Sequence, residues 1–248
     1  RRREETEDRT EQLFRILDRT LGRGGKVVIP SFAVGRAQEV MARINDLVES
    51  GRLPGVPVFL DSPMATAATH VFAMHPEVYS DEALELLRRG DAPLEFPGLR
   101  LITSVRDSME INGLKGPAII ISPSGMCTAG RVKHHLKHNI SDPRATILFV
   151  GYQARNTLGR LIKEGTSPVR IYHQWFDVKA DIETIEGFSA HADRDELVAW
   201  YDSLGGVARQ TFLVHGEEEA CESLARDLRR RGSEPVVVPE LGQTFSLE

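Results

Sequence analysis

The chain has 248 residues, enough for one large domain or two modest ones, and its 41% hydrophobic and 27% charged residues are typical of a globular rather than a disordered protein. Its formal net charge of −5 excludes a general electrostatic attraction to nucleic acid, so any such binding must rely on local positive groups. No apolar run reaches the roughly 18 to 20 residues that a membrane span requires, which predicts a protein without a membrane partner.

The start of the chain and its cysteines predict a cytoplasmic protein. No apolar stretch follows the charged residues Arg1 to Glu5, unlike in a signal peptide. Cys127 and Cys221 are far apart in the sequence and provide neither a disulfide framework nor a four-cysteine zinc site. Apolar residues at helical spacing predict a helix over 5–21, which the chain enters without an initiator methionine. We therefore expect a piece of a longer protein.

Four apolar runs, each followed by a helix, predict an α/β fold with a parallel sheet flanked by helices. Continuous apolar strands that alternate with helices are typical of sheets buried on both faces. The alternation is broken only over 81–115, where we expect a helix at 82–89 and a crossover strand. The strands are predicted at 26–30, 56–60, 117–121 and 146–150, and the helices at 36–49, 64–74, up to about 138, and 157–163.

The pattern changes after residue 165. Residues 178–185 alternate between apolar and polar, which predicts a half-solvated strand. A basic run at 229–231 stands before Gly232, as is typical of a helix C-terminus, and we do not interpret it as a nucleic-acid patch. The other elements expected here are a helix at 194–204, a strand at 210–214, the helix that ends in the basic run, and a strand at 235–238.

The turns that follow the four strands are rich in Ser, Gly and Pro. Ligands of an open parallel sheet bind at the carboxyl ends of its strands, where amides at helix starts can bind anions. One such turn is equally an ordinary cap, but four at one edge favour a chain of phosphates over a single anion. We predict phosphate contacts from Ser31, Arg36, Ser62, Ser122, Ser124, Gly125, Arg131, His135, His138 and Gln153.

Two groups near these turns have alternative interpretations. On a helix, Arg131, His134, His135 and His138 share one face, which fits either phosphate contact or a solvated polar surface. Metal binding by His134 and His138 fits less well, because the residues between them include the cation of a lysine and no carboxylate. Asp61 either caps the following helix, which we favour, or orients a ligand or a basic side chain.

Two histidines further along the chain occupy matching positions. His191 and His215 each follow a predicted strand, and each has a glycine and acidic residues nearby. Imidazole is a good zinc ligand and can donate a proton near neutral pH. Each histidine alone fits a hydrogen-bonding role at a strand end, but two in matching positions favour a functional pair.

These motifs together resemble the β-CASP branch of the metallo-β-lactamase superfamily over nearly the whole chain. The chain is similar to bacterial and archaeal RNA-processing nucleases related to the eukaryotic pre-mRNA 3′-end endonuclease. Several motifs in a fixed order identify this family specifically, whereas a single turn does not. They occupy, in this order, residues 29–39, 61–65, 124–126, 134–138, 151–153, 188–193 and 214–217.

The resemblance implies a domain organisation and roles for both histidines. Residues 1–165 would form the β-CASP domain, and residues 166–248 the returning C-terminal portion of an αββα metallo-β-lactamase domain. His191 would assist catalysis near the scissile phosphate and His215 would bind zinc, with two zinc ions in the intact enzyme and single-stranded RNA as substrate. A histidine at 215, rather than a small apolar residue, indicates the RNA-processing side of the branch.

The chain also departs from the family pattern. The family's His-x-His-x-Asp-His cluster does not occur in this sequence, so we expect the missing zinc ligands upstream and this chain alone to be inactive. The aromatic content of 6% favours backbone contacts with RNA over base-stacking platforms.

Three other functions compete with a ribonuclease. The first is an inactive RNA-binding module, and the second is a small-molecule metallo-hydrolase of the same superfamily, such as a thioesterase. The third is a nucleotide-binding α/β domain, which is disfavoured because no Gly-x-Gly-x-x-Gly or Walker sequence follows the first strand. Endonuclease and 5′-exonuclease action are both open, as are the RNA target and assembly as a homo-oligomer.

Overall fold

A computed structural model describes residues 8–53, 55–188, 191–206, 208–232 and 235–246, with residue 82 described by its backbone alone. The described residues divide into two compact units, one up to residue 188 and one from residue 191 onward. No helix within these ranges is long and apolar enough to cross a membrane.

The first unit contains a six-stranded parallel sheet and a separate β-hairpin. The sheet has the order β3-β2-β4-β1-β5-β8, and β6 and β7 form the antiparallel hairpin. All four strands predicted from apolar runs are present, and the α/β class is confirmed. The strands are β1 (Lys26–Pro30), β2 (Val58–Asp61), β3 (Leu99–Ile102), β4 (Ala118–Ser122), β5 (Thr146–Phe149), β6 (Val169–Ile171), β7 (Gln174–Phe176) and β8 (Asp181–Thr184).

Seven α-helices of the first unit lie within the described residues. The helix predicted to start at Glu5 is described from Arg9 onward, with Asp8 as its cap, and its first predicted residues lie outside the described ranges. The crossover contains the expected helix and strand together with a further helix, α5, which was not predicted. The helices are α1 (Arg9–Gly22), α2 (Arg36–Glu49), α3 (Pro63–Met74), α4 (Asp81–Arg88), α5 (Val105–Gly113), α6 (Val132–Asn139) and α7 (Leu158–Lys163).

Alternating side chains of the central strands enter two cores on opposite faces of the sheet. Val27 and Ile29 of β1 pack in one core with Leu17 of α1 and Met41 of α2. Val28 packs on the other face, in the core that contains helices α6 and α7 and the hairpin. Burial on both faces explains why these strands are continuously apolar.

Strand β8 forms the edge of the sheet. It pairs in parallel with β5, with Thr146 opposite Asp181. All four of its residues are partly buried, as suits an edge strand with one open side. The strand therefore belongs to the first compact unit, while the proposed β-CASP boundary at residue 165 remains a prediction.

The second unit is a small α/β layer. Its two short strands are parallel, and its core contains Val198, Ala225, Leu228 and Val236. Arg229 donates to the carbonyl of Val236 at 2.7 Å, which gives this residue of the basic run a structural contact at the helix end. The elements are α8 (Arg194–Ser203), β9 (Thr211–Phe212), α9 (Glu218–Arg230) and β10 (Val236–Val237).

Candidate functional site

The turns at the carboxyl edge of the parallel sheet are joined to one another. The amide of Ser31, after β1, donates to the carbonyl of Ser122, at the end of β4, at 3.3 Å. The hydroxyl of Ser122 donates to the carbonyl of Asp61, at the end of β2, at 3.2 Å. Neighbouring strands of a parallel sheet end at the same edge, so the turns form one surface as the sequence predicts.

Asp61 is the centre of a buried polar network at this edge. Its carboxylate is fully buried and accepts from Ser108 of α5 at 2.6 Å, Arg131 at 2.8 Å and His135 of α6 at 2.6 Å. Burial alone would raise the pKa of Asp61, but the hydrogen bonds from these three residues outweigh it and hold the pKa below its usual value.

The favoured interpretation of Asp61 as a helix cap is therefore wrong. The hydroxyl of Ser62 caps α3, accepting from the amide of Ala65 at 3.1 Å. Asp61 instead orients basic side chains, which was the second interpretation. Ser108, which meets its carboxylate, and Asn112, which meets His135 at 2.9 Å, were not predicted as partners. Their i,i+4 spacing on a helix was the signal for them.

Helix α6 does not present on one accessible face all the residues that helical spacing groups together. His135 is fully buried, and its ring nitrogens contact Asp61 and Asn112. The guanidinium of Arg131 contacts the buried Asp61 and the carbonyl of Thr103. His134 and His138 are exposed. In this structure only the last two leave their side chains open to a ligand, because the sheet edge covers the inner half of the helix.

The helix starts at this edge are largely satisfied by the protein itself. Side chains of Ser62, Ser104 and Thr157 cap α3, α5 and α7. The first amides of α6 donate to carbonyls of Pro123, Gly130 and Arg131. The predicted set of free helix-start amides is thus reduced, because the turn backbone folds over them.

Several side chains at this edge contain buried polar atoms that remain unsatisfied among the described residues, and one of these atoms is the acceptor Oε1 of Gln153. The buried Oγ of Ser31 and the buried Nε of Arg36 have no hydrogen-bond partner among the described residues. The Nη1 of Arg36 donates to the carboxylate of Glu39 at 2.6 Å. The guanidinium carbon of Arg36 lies 5.9 Å from the ring centre of Phe188. Burial lowers the pKa of Arg36 by more than the neighbouring carboxylate of Glu39 raises it. An anion would supply the missing acceptor.

Gln153 and Gly125 hold the turns after β4 and β5 together. The buried amide nitrogen of Gln153 donates to the carbonyl of Gly125 at 2.9 Å. Gly125 packs closely on the turn after β1, since a Cβ built on it would lie 3.3 Å from the amide nitrogen of Phe32. Ser124 is partly exposed, 3.4 Å from the hydroxyl of Thr128. Gln153 and Gly125 shape this surface, whereas Ser124 remains accessible on it.

The second unit brings His191 and His215 together. Their ring centres are 6.5 Å apart, with the ring planes inclined at 58°. Each histidine stands two residues before a helix cap, Asp193 for α8 and Glu217 for α9, and both are exposed. The matching positions predicted from the sequence thus place two imidazoles side by side. Ser189 and Ala190, which precede His191 in its motif, lie outside the described residues.

The backbone at His215 is in the left-handed region, with φ of 68°. This conformation is unfavourable for a residue with a Cβ and is typical of positions where function overrides local preference. Next to it, Gly216 allows a close approach of the chain, because a Cβ there would lie 2.7 Å from the sulfur of Cys221. The local packing therefore holds His215 in a costly geometry.

A zinc ion needs at least three protein ligands, which the described residues do not supply together. Within the described ranges no three His, Cys, Asp or Glu residues are grouped to hold a metal. His215 has the right ligand chemistry for one coordination position, but the set it belongs to is incomplete here. No catalytic step through a metal is derived from these residues.

Comparison with known proteins identifies the family. The Beta-Casp domain family model matches residues 37–162, and a second one, the zinc-dependent metallo-hydrolase RNA specificity domain, matches residues 175–239. The chain belongs to the β-CASP family. This confirms the resemblance inferred from the ordered motifs. The first match includes the turns after β2, β4 and β5 but begins after the turn that follows β1, and the second match includes the histidine pair.

The chain spans half the length or less of the curated β-CASP relatives it matches. It is 40% identical to ribonuclease TTHA0252 of Thermus thermophilus over 90% of this chain and 50% of the relative. It is 34% identical to transcription termination factor FttA of Methanocaldococcus jannaschii over 95% of this chain and 38% of the relative. The FttA of Methanosarcina mazei is 33% identical over 90% of this chain and 36% of the relative.

Proposed function

We propose that this chain is part of a zinc-dependent ribonuclease that hydrolyses phosphodiester bonds of single-stranded RNA. The observation that carries the proposal is the pair of exposed imidazoles of His191 and His215, 6.5 Å apart, in a chain of the β-CASP family. The match of residues 175–239 to an RNA specificity domain of zinc-dependent metallo-hydrolases supports both the substrate and the metal.

The two histidines have different roles in this proposal. His215 is one ligand of a zinc centre of two ions, and its fixed backbone suits a ligand that must not move. Zinc, when bound, supplies Lewis acidity that activates water and stabilises charge on phosphoryl oxygens. His191 donates a proton to the leaving oxygen, a role that imidazole performs well near neutral pH.

The sheet edge is proposed to hold the RNA by its backbone. Arg36 and Ser31 provide unsatisfied donor groups, and the side chains of Ser124 and His138 are accessible to solvent. The other residues predicted for phosphate position the turns: Ser62 by capping, Ser122 and Gln153 by bonding to turn carbonyls, Arg131 and His135 through Asp61, and Gly125 by close packing. Contacts to phosphate alone would give little sequence preference.

An RNA-binding module without catalysis is the second candidate. The absence of a three-residue metal group within the described ranges favours it for this chain taken alone. A nuclease assay with zinc-loaded full-length protein and a 5′-labelled single-stranded RNA separates the two, with the 248-residue chain assayed in parallel. Cleavage by the full-length protein supports the ribonuclease, and binding without cleavage supports the module. The product lengths also distinguish endonuclease from 5′-exonuclease action.

Histidine substitutions in the full-length protein test the separate roles. His215→Ala should lose zinc and cleavage together, whereas His191→Ala should keep zinc and lose cleavage. His70→Ala is the matched control, because His70 is exposed on α3 in the other compact unit. Zinc content is measured by atomic absorption on each variant. Normal cleavage by His191→Ala would disprove its role as proton donor.

We also propose a cytoplasmic location. Both cysteines are buried and free, so the described fold uses no disulfide. Fractionation of cells that produce the native protein tests this location.

A further inference from the structure

We propose that the β6–β7 hairpin and the outer side of α6 form a second RNA-binding surface, where bases of a single strand stack on exposed aromatic rings beside cationic side chains. The inference rests on the proposed function and adds a contact outside the sheet-edge turns. We call this surface the aromatic-basic patch, and its members are Lys133, His134, Arg170, Tyr172, His173 and Trp175.

Direct contacts connect most of the aromatic-basic patch. The rings of His134 and Tyr172 are 4.7 Å apart between centres, inclined at 33°. The ammonium of Lys133 lies 4.7 Å from the centre of the Tyr172 ring. Arg170 contacts the ring of His173, the neighbour of Tyr172, at 3.3 Å. One helix and one hairpin thus build a shared surface from residues that are distant in sequence.

Trp175 extends the patch along the hairpin. It pairs across the strands with Arg170, so both side chains leave the same face of the hairpin. The opposite face packs into the core through Val169 and Ile171, and Trp175 remains 67% exposed. An indole this exposed contributes little to the core, and its ring is open to a ligand.

The turn of the hairpin is costly for the residues it contains. Tyr172 and His173 have φ of 47° and 66°, values that such turns normally assign to Asn and Gly. Glycine would relieve this backbone and remove the rings. An unfavourable turn that displays aromatic side chains is the pattern expected where the rings themselves have a use.

The charge of the patch suits a polyanion. Lys133 contacts the ring of Tyr172 and Arg170 contacts the ring of His173, and neither forms an ion pair with a carboxylate in the part of the chain that the structure describes. In a chain of net charge −5, this is a local concentration of uncompensated cations. Burial and the neighbouring cations also lower the pKa of His134, which favours a neutral ring. Flat rings beside cations that have no carboxylate partner are the elements of single-strand binding.

The main test follows the fluorescence of Trp175. Because the chain has two tryptophans, Trp200→Phe leaves Trp175 as the only tryptophan, which is excited selectively at wavelengths where tyrosine does not absorb. The 248-residue chain with this substitution is titrated with oligoadenylate of about 16 nucleotides. We expect emission to be quenched as the strand binds, and the midpoint of quenching should match that of fluorescence anisotropy on labelled RNA. Unchanged Trp175 emission at RNA saturation would overturn the proposal. This is also the result expected if the surface binds a protein partner instead of RNA.

Affinity measurements locate the contact. Trp175→Ala and Tyr172→Ala should each weaken RNA binding by about tenfold, the loss typical of one stacked base. Tyr172→Phe should keep the affinity of the unchanged chain, because the ring is retained. Trp175→Ala is expected to fold normally, since the indole lies largely outside the core, so a loss of affinity in this variant is not caused by misfolding. Lys133→Glu should weaken binding, and Lys115→Glu serves as its control, because Lys115 is exposed in the turn between α5 and β4. Equal affinity for Trp175→Ala and the unchanged chain would overturn the proposal.

The outcome is independent of the nuclease assay. If RNA quenches Trp175 while full-length protein fails to cleave RNA, the patch is supported and the ribonuclease is not. If the full-length protein cleaves RNA and Arg36→Ala abolishes binding while Trp175 stays unquenched, the ribonuclease stands and the patch is disproved.

Discussion

The carboxylate of Asp61 and the imidazole of His135 meet at 2.6 Å, both fully buried, although 74 residues separate them in the sequence. Asp61 ends strand β2 and His135 lies in the second turn of α6, so this contact fixes a helix to the end of a strand. Arg131, on the preceding turn, reaches the same carboxylate. The sheet edge that is proposed to hold RNA thus depends on a buried anion and the side chains around it.

We expect Asp61→Asn to destabilise the fold by about 3–5 kcal/mol at neutral pH, because it removes a buried charge that pairs with the largely buried guanidinium of Arg131. The pKa of Asp61 is lowered in the folded state, so its contribution is complete above the unfolded pKa of about 3.9 and is lost as the pH falls through the folded value. The difference in unfolding free energy between wild type and variant should therefore shrink in acid.

Urea unfolding followed by circular dichroism at pH 7 and below pH 4 measures this difference. Asp18→Asn is the control, because Asp18 is exposed on α1. A difference between wild type and Asp61→Asn that stays constant with pH would contradict the role of the ionised carboxylate.

His215→Gly should give a more stable chain than His215→Ala, by about 1 kcal/mol. Both changes remove the imidazole, but only glycine adopts the left-handed backbone without steric cost. Chemical denaturation of the two variants gives the comparison directly. Equal stability would mean that the backbone at this position stores no strain.

Gly159→Ala should destabilise the chain by about 1–3 kcal/mol and weaken RNA binding. A Cβ at this position would lie 1.9 Å from Oε1 of Gln153, the residue that holds Gly125, and would force its side chain to move. Gly22→Ala is the matched control, because nothing lies within 4 Å of its Cβ. Thermal unfolding and anisotropy with labelled RNA provide the two readouts. A neutral result for Gly159→Ala would remove the structural role of Gln153.

RNA binding by the chain should weaken steeply with salt, since phosphate contacts release counterions. Arg36→Gln should reduce the slope of log affinity against log salt by about 0.7, the contribution of one single-strand phosphate contact. Arg88→Gln, on the exposed side of α4, should leave the slope unchanged. Affinity that does not vary with salt would contradict the proposal that the sheet edge holds RNA by its phosphates. An unchanged slope for Arg36→Gln would mean that Arg36 does not contact a phosphate.

The sequence by itself determined the elements whose cause is local. The runs at Val27–Ile29 and Ile119–Ile121 are apolar at every position because both faces of a parallel strand are buried, and this pattern is visible without a structure. The sequence also predicted that the motifs after these strands lie together, because neighbouring strands of a parallel sheet end at the same edge. Matching positions after two predicted strands paired His191 with His215, which the fold places side by side.

Only the tertiary structure decided which side chains of a motif point outward. Helical spacing groups His134, His135 and His138, but it does not show that α5 and β2 enclose His135 and leave the other two exposed. The same holds for Asp61, whose partners come from two helices far along the chain. Periodicity records how residues repeat along one element, whereas burial and charge compensation depend on which other elements pack against it.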